Sequence, residues 1–280
     1  MNPRYPIYVI SKGRPKSCLT ARKLTEMKVP FYLVVEPQEL EEYQEYHPKV
    51  TYIVTPFSNL GQGSIPVRNF VWEHSKSKGS IRHWILDDNI EGFHRFNRNI
   101  KPQVTDGTIF RCCEDFTERY SNVPISGMNY YAFCKNSSSC NPFTLNTRVY
   151  SCILIKNDLP FRWRGRYNED TDLCLRVLKS GQCTILFNAF LVGKVTTMRM
   201  KGGNTEEVYG DTDNRKEFAE SLRVQHPEHV KVVWKFNRWH HDIDYRKHFT
   251  QGLERLQGLE VPTGTNDYGM KLIELPIDDD

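Results

Sequence analysis

Short apolar runs alternate with longer amphipathic stretches over the first ninety or so residues. Residues 5–10, 31–35, 50–54 and 82–86 are apolar, rich in β-branched and aromatic side chains, and bounded by Gly, Pro, Ser or Asp, the pattern of strands. Between them, Leu19, Leu24 and Met27 fall roughly on one helical face downstream of Pro15. Residues 37–46 form an acidic helical stretch and residues 66–74 a third helix. A β-α-β-α-β-α-β order predicts a mostly parallel sheet with covering helices.

Beyond residue 93 the alternation weakens and β character rises. A helix is expected over 109–120 and strands over 125–133 and 147–155, with the polar loop 135–142 between them. Strands are expected again over 184–187, 189–197 and 230–236, with helices near 170–180 and over 214–225. The last residues, Asp278 to Asp280, form an acidic tail. The chain shows no internal repeat and no long linker.

With 280 residues, 14 Tyr, 15 Phe and 5 Trp, the chain can bury a sizeable core. A net charge of +4 permits a basic face without demanding one. No apolar run approaches the ~20 residues of a membrane helix, and the N-terminal apolar run is too short for a secretory signal. A cytosolic protein without membrane contact is expected. The eight cysteines form no C-x-x-C pair, and the spacing of Cys112, Cys113, Cys134 and Cys140 does not match common zinc sites. They read as reduced core thiols.

Candidate chemistry begins at HWILDDNIEG, residues 83–92. Asp87, Asp88 and Asn89 follow the fourth strand, where side chains of an open α/β sheet face the ligand crevice. Adjacent carboxylates there call for a cation or strong donors, and a divalent metal shared with nucleotide phosphates is one solution. A polar turn is the other reading, since Asp and Asn favour turns. Ser11, Lys12, Gly13 and Arg14 follow the first strand, and Gly61 and Gly63 precede the helix that carries Arg68 and Asn69. Backbone N–H groups and fixed cations in such places suit a diphosphate.

Four further stretches stand out. His94, Arg95, Arg98 and Lys101 interleave with Phe93 and Phe96, a composition that can track a nucleic acid but also occurs in solvated loops. In FRWRGRYNEDTDL, Arg162, Arg164 and Arg166 precede Glu169, Asp170 and Asp172 at a helix start, with Asn168 or Asp170 able to cap it. The helix dipole there favours an ionised carboxylate, as a general base requires. Residues 200–204, including Lys201, form a glycine-rich loop able to act as a lid or as a plain connection. In RWHHDIDY, residues 238–245, His240 and His241 point to opposite sides of an extended backbone, so only one can reach a given site.

LDDN, NEDTDL and a late WHH occur in that order, and the likeness runs from YPIYVISKGRP through SIPVRNFVW to RWHHDIDY. In this the chain resembles the GT-A-fold, nucleotide-sugar-dependent glycosyltransferases. Its nearer resemblance is to the phage-type enzymes associated with TET/JBP oxidases. That resemblance implies a Rossmann-like nucleotide-binding half with a mostly parallel sheet, residues 1–92. It implies a smaller mixed-sheet acceptor-binding and catalytic half, residues 93–245, followed by a C-terminal segment, residues 246–280. The implied reaction moves a sugar from a UDP-sugar to the hydroxyl of a 5-hydroxymethylpyrimidine in DNA, inside a host cell if the gene is a phage's.

By the same resemblance, Ser11, Lys12, Gly13, Arg14, Gly61, Gly63, Arg68, Asn69, Asp87, Asp88 and Lys201 would bind the nucleotide sugar. Asp170, with Glu169 beside it, would supply the base of an inverting displacement. Mn²⁺ or Mg²⁺ would be held by Asp88, Asn89 and His241, with His240 as the less favoured histidine. Asn89 departs from the family pattern, which has an aspartate there, so a weaker metal site is expected. Arg95, Arg98, Arg162, Arg164 and Arg166 would meet the DNA. A same-fold enzyme acting on a glycan, lipid or protein, an inactive nucleotide- or DNA-binding module, and a nucleotidyltransferase are the competing readings.

Overall fold

The computed structural model describes residues 1–97, 99–135, 140–195, 214–261 and 264–266. The first four strands are β1 (Ile7–Ile10), β2 (Tyr32–Val35), β3 (Thr51–Val54) and β4 (Arg82–Asp87), all parallel, in the spatial order β3-β2-β1-β4. The helices α1 (Leu19–Glu26), α2 (Leu40–Tyr46) and α3 (Ile65–Ser77) connect them. A short 3-10 turn at Pro37–Glu39 leads into α2, so the acidic helix expected from Pro37 starts only at Leu40.

The sheet continues without a break into the second half. There β5 (Ile90–Arg95), β6 (Ile125–Tyr130), β7 (Phe143–Leu145), β8 (Cys152–Lys156) and β9 (Thr184–Lys194) complete it. Strand β8 runs antiparallel beside β4, β6 lies next to it, and β9 pairs with β6, β5 and β7. Helices α4 (Thr108–Thr117) and α5 (Glu169–Lys179) accompany these strands. The chain then forms α6 (Arg215–Gln225), a hairpin of β10 (Lys231–Lys235) and β11 (Arg238–Asp242), and the single turn α7 (Tyr245–His248). The result is an α/β architecture in which a parallel half is joined to a mixed-sheet half.

Both faces of β1, β2 and β4 are covered, which is why they read as unbroken apolar runs rather than alternating ones, while β3 at the edge is partly exposed. Along β1, Ile7 and Val9 join Leu24, Leu33, Trp84 and Phe110 on one side. Tyr8 and Ile10 join Val34, Trp72, Ile85 and Val177 on the other. Each such side chain contributes about 1.5–3 kcal/mol when fully buried. Seven of the eight cysteines are buried, as core thiols.

Several elements differ from expectation, among them the unexpected β7 and a β8 that starts at Cys152 rather than near Thr147. Residues 90–95 form a strand, and Phe93 is fully buried, so it cannot stack on a nucleic acid. The basic residues that follow obscured its short apolar pattern. The two strands expected over 184–197 are one, β9, whose pairing with β6 shifts register between Met128 and Asn129. Residues 238–242 are the second arm of a hairpin that turns at Phe236 and Asn237.

Candidate active site

Parallel strands deliver their carboxyl ends to one edge, and a cavity of about 280 Å³ opens there. Ser11 and Lys12 enter it after β1, Glu36 after β2, and Thr55 and Phe57 after β3. Gly61 and Gly63, both at positive φ, shape the turn into α3. Asp87, Asp88 and Asn89 close the floor at the end of β4, and Glu169 and Asp170 approach from the start of α5.

Asp88 is nearly buried and acts on the β1–α1 loop. Its Oδ1 accepts from Arg14 Nη1 at 2.7 Å and its Oδ2 from Ser11 Oγ at 2.7 Å. Tyr43 Oη lies 2.6 Å from Ser11 Oγ and accepts from the Arg14 N–H. Burial raises the Asp88 carboxyl above its ordinary value despite Arg14 and Ser11. The pair therefore fixes the loop that presents Lys12, which pairs with Glu36 at 3.1 Å. The expected ligand Gly13 does not line the cavity, and its N–H donates to the Glu39 carboxylate.

Asp87 faces a denser set of donors. Lys194 Nζ, from the end of β9, lies 2.8 Å from Oδ2, and Ser151 Oγ donates to the same oxygen at 2.7 Å. Arg68 Nη2 reaches Oδ1 at 3.1 Å. Burial alone would raise this carboxyl, but the charges of Lys194 and Arg68 outweigh it and hold it well below the carboxylate range. Arg68 also lies over the Trp163 ring and pairs with Glu169 at 3.4 Å. One guanidinium thus ties the end of β4 to the start of α5.

At α5, Asn168 occupies the N-cap in the left-handed region, but its side chain donates to Phe218 O instead of capping the helix. The three acids there divide. Glu169, raised by burial, accepts from Ser64 Oγ at 2.8 Å. Asp170 accepts from the Thr171 N–H at 2.6 Å and lines the cavity. Asp172 turns away into the core, where Arg164, Arg176 and His226 surround it at 2.8 to 3.2 Å.

A family model, TET-Associated Glycosyltransferase, matches residues 5–203. The chain belongs to this family. It is a glycosyltransferase, and the cavity at the strand ends is its candidate active site. No curated protein matches it significantly. Among solved structures it is similar to one described as a nucleotide-diphospho-sugar transferase from Desulfovibrio desulfuricans G20. The identity is 8%, with 66% of this chain and 80% of that one covered and a TM-score of 0.39.

Several residues expected to serve the glycosyltransferase do other work. Asn69 exchanges two 2.9 Å hydrogen bonds with the backbone of Trp163, clamping α3 to the loop before α5. Arg162 pairs with Glu73 and lies over Trp72, and Arg164 belongs to Asp172. Arg166 lines the cavity, and Arg95 is exposed at the end of β5. Arg98 and Lys201 lie outside the described residues. Sequence reasoning missed Lys194, Ser151 and Tyr130, which line the same wall.

Of the expected metal ligands, Asp88 and Asn89 line the cavity and His241 does not join them. His241 Nε2 lies 3.1 Å from Arg148 Nη1 and does not line the cavity, and burial with that arginine pushes its imidazole down to about 4. His240 sits beside Arg238 on the hairpin. The oxygens of Asp87 and Asp88 already accept from fixed cations and hydroxyls. Asn89 Oδ1 is buried without a hydrogen-bond partner, but it is a neutral ligand. Among the described residues no group of three His, Cys, Asp or Glu side chains is placed to hold a metal ion. This donor set does not fit a divalent cation.

Proposed function

We propose that this glycosyltransferase moves a sugar from a UDP-sugar to the hydroxymethyl oxygen of a 5-hydroxymethylpyrimidine in DNA, with inversion at the anomeric carbon. The observation that carries the reading is the sharing of one cavity by two opposed groups. Asp170 and Glu169 stand at a helix N-terminus, and the cationic cluster of Arg68 and Lys194 stands around Asp87. In the displacement, the acceptor oxygen bonds to the anomeric carbon as the bond to the diphosphate oxygen breaks. The acceptor proton passes to Asp170, and the electron pair leaves with UDP. A base in place during the transition state contributes roughly 10²- to 10⁴-fold.

The first β-α-β-α-β-α-β half would hold the nucleotide at its strand ends, where Ser11, Lys12, Arg14, Gly61 and Gly63 line the cavity. Of the two acids, Asp170 is assigned as the base because Glu169 is already engaged by Arg68 and Ser64.

The hairpin of β10 and β11 favours a nucleic-acid acceptor. Trp234 and Phe236 are 56% and 87% exposed, and Lys231, Lys235 and Arg238 flank them. Aromatic faces interleaved with cations suit stacked bases and phosphates. Release of UDP from UDP-sugars tests the reading. It should be stimulated by DNA carrying 5-hydroxymethylcytosine or 5-hydroxymethyluracil and not by unmodified DNA. Equal stimulation by a glycan or protein acceptor alone would contradict it.

A further inference from the structure

We infer that the donor diphosphate is held by the side chains of Lys194 and Arg68, and that nucleotide binding needs no divalent ion. This rests on the nucleotide-sugar reading above and adds to it the means of neutralising the leaving group.

Lys194 stands where a metal would be needed. It comes from the last residue of β9, its side chain is 13% exposed, and it lines the cavity beside Asp87. An ammonium has three donors. Here they meet Asp87 Oδ2 at 2.8 Å, Ser151 Oγ at 2.6 Å and Tyr130 Oη at 3.2 Å. The tyrosine contact is the longest and is made to a neutral hydroxyl, so it is the one a phosphate oxygen displaces. Arg68 lines the same cavity and brings a second fixed charge to that carboxylate through Nη2, while Ser64 and Glu169 hold its Nε in place.

A metal ion beside Asp87 would have to sit against both cations or expel a lysine enclosed by three partners. The next carboxylate offers no alternative, since Asp88 is spent on Arg14 and Ser11. Charge-assisted hydrogen bonds from preorganised cations stabilise the departing diphosphate by the same electrostatics that a metal would supply.

Calorimetric titration of the full-length protein with UDP, and with GDP and ADP as controls for the base, tests this in EDTA and again in MnCl₂. The nucleotide that binds should do so equally well in both. Lys194→Met should weaken it about tenfold or more in EDTA, the scale of a lost charge-assisted hydrogen bond, whereas Lys194→Arg should retain most of the affinity. Lys194→Met also strands Asp87, so the double variant Lys194→Met/Asp87→Asn is compared with Asp87→Asn alone, which keeps the lysine. If Lys194 binds phosphate, the double variant binds more weakly than Asp87→Asn; if it serves only to neutralise Asp87, the two bind equally and the inference fails. Wild-type binding lost in EDTA and restored by Mn²⁺ also overturns it, while leaving the nucleotide-sugar reading intact. Absence of binding by any nucleoside diphosphate in either condition removes that reading and this inference with it.

Discussion

Lys194 Nζ lies 2.8 Å from Asp87 Oδ2, although 107 residues separate the two in sequence. The contact exists because β9 ends beside the carboxyl edge of β4, with Tyr130 of β6 and Ser151 before β8 completing the enclosure. It brings the two halves of the sheet to a common point, and the candidate chemistry of the cavity is arranged around it.

Asp172 should matter for stability rather than for transfer. Its carboxylate is 1% exposed and is shared by Arg164, Arg176 and His226. Asp172→Asn should cost about 3 kcal/mol, because it leaves buried donors poorly matched, and a denaturant titration reads this directly. The pH dependence follows. Burial alone would raise this carboxyl, but the hydrogen bond from His226 and the two arginines outweigh it and hold it below its ordinary value. A group lowered by folding contributes fully above its unfolded pKa and loses that contribution as pH falls through its folded pKa. Wild-type Tm should therefore fall more steeply than that of Asp172→Asn on acidification below the ordinary carboxylate range.

Gly127→Ala should disrupt the sheet. A Cβ added there would meet Cys152 O at 2.2 Å and Val149 Cγ1 at 2.5 Å, and the carbonyl belongs to a neighbouring strand that cannot easily move. Overpacking of this kind costs about 1–3 kcal/mol or more. A Tm equal to that of wild type would show that β6 and β8 are less tightly apposed.

Phe236→Gly should move stability and DNA binding in opposite directions. Phe236 sits at φ 53° in a two-residue turn, a conformation that suits glycine. Relief of left-handed strain should stabilise the fold by about 1 kcal/mol. Loss of a stacking ring should weaken DNA binding by about 1–3 kcal/mol. Fluorescence anisotropy at several salt concentrations, together with thermal melts, would reveal either sign.

His241→Ala should leave UDP affinity unchanged with or without Mn²⁺, since the imidazole faces Arg148 rather than the cavity. A loss of affinity seen only in Mn²⁺ would restore His241 as a metal ligand.

The parallel half was legible because strands buried on both faces leave plain apolar runs, and because chemistry follows each run at a Gly- or Asp-rich break. Ser11, Arg14, Arg68, Asp87, Asp88, Glu169 and Asp170, which line the cavity, stand at the strand ends and helix starts that this pattern marks. Lys194, Tyr130 and Ser151 were not, since their place depends on which strands pair across the mixed half, which local periodicity does not encode. Arg162 and Arg164 misled for a related reason. A basic run looks alike whether it faces solvent or, as here, Glu73 and Asp172. His241 found its partner Arg148 at a distance of 93 residues, where a local motif gives no sign of it.

The most direct measurement is nucleoside mass spectrometry of DNA containing 5-hydroxymethylcytosine or 5-hydroxymethyluracil after incubation with a panel of UDP-sugars. Wild-type protein should add one sugar mass to the modified pyrimidine. Asp170→Asn, still folded and still binding UDP, should lower the rate at least ~10²-fold. A rate unchanged by Asp170→Asn, or UDP-sugar consumed with no mass gained by the DNA, would contradict the proposed reaction.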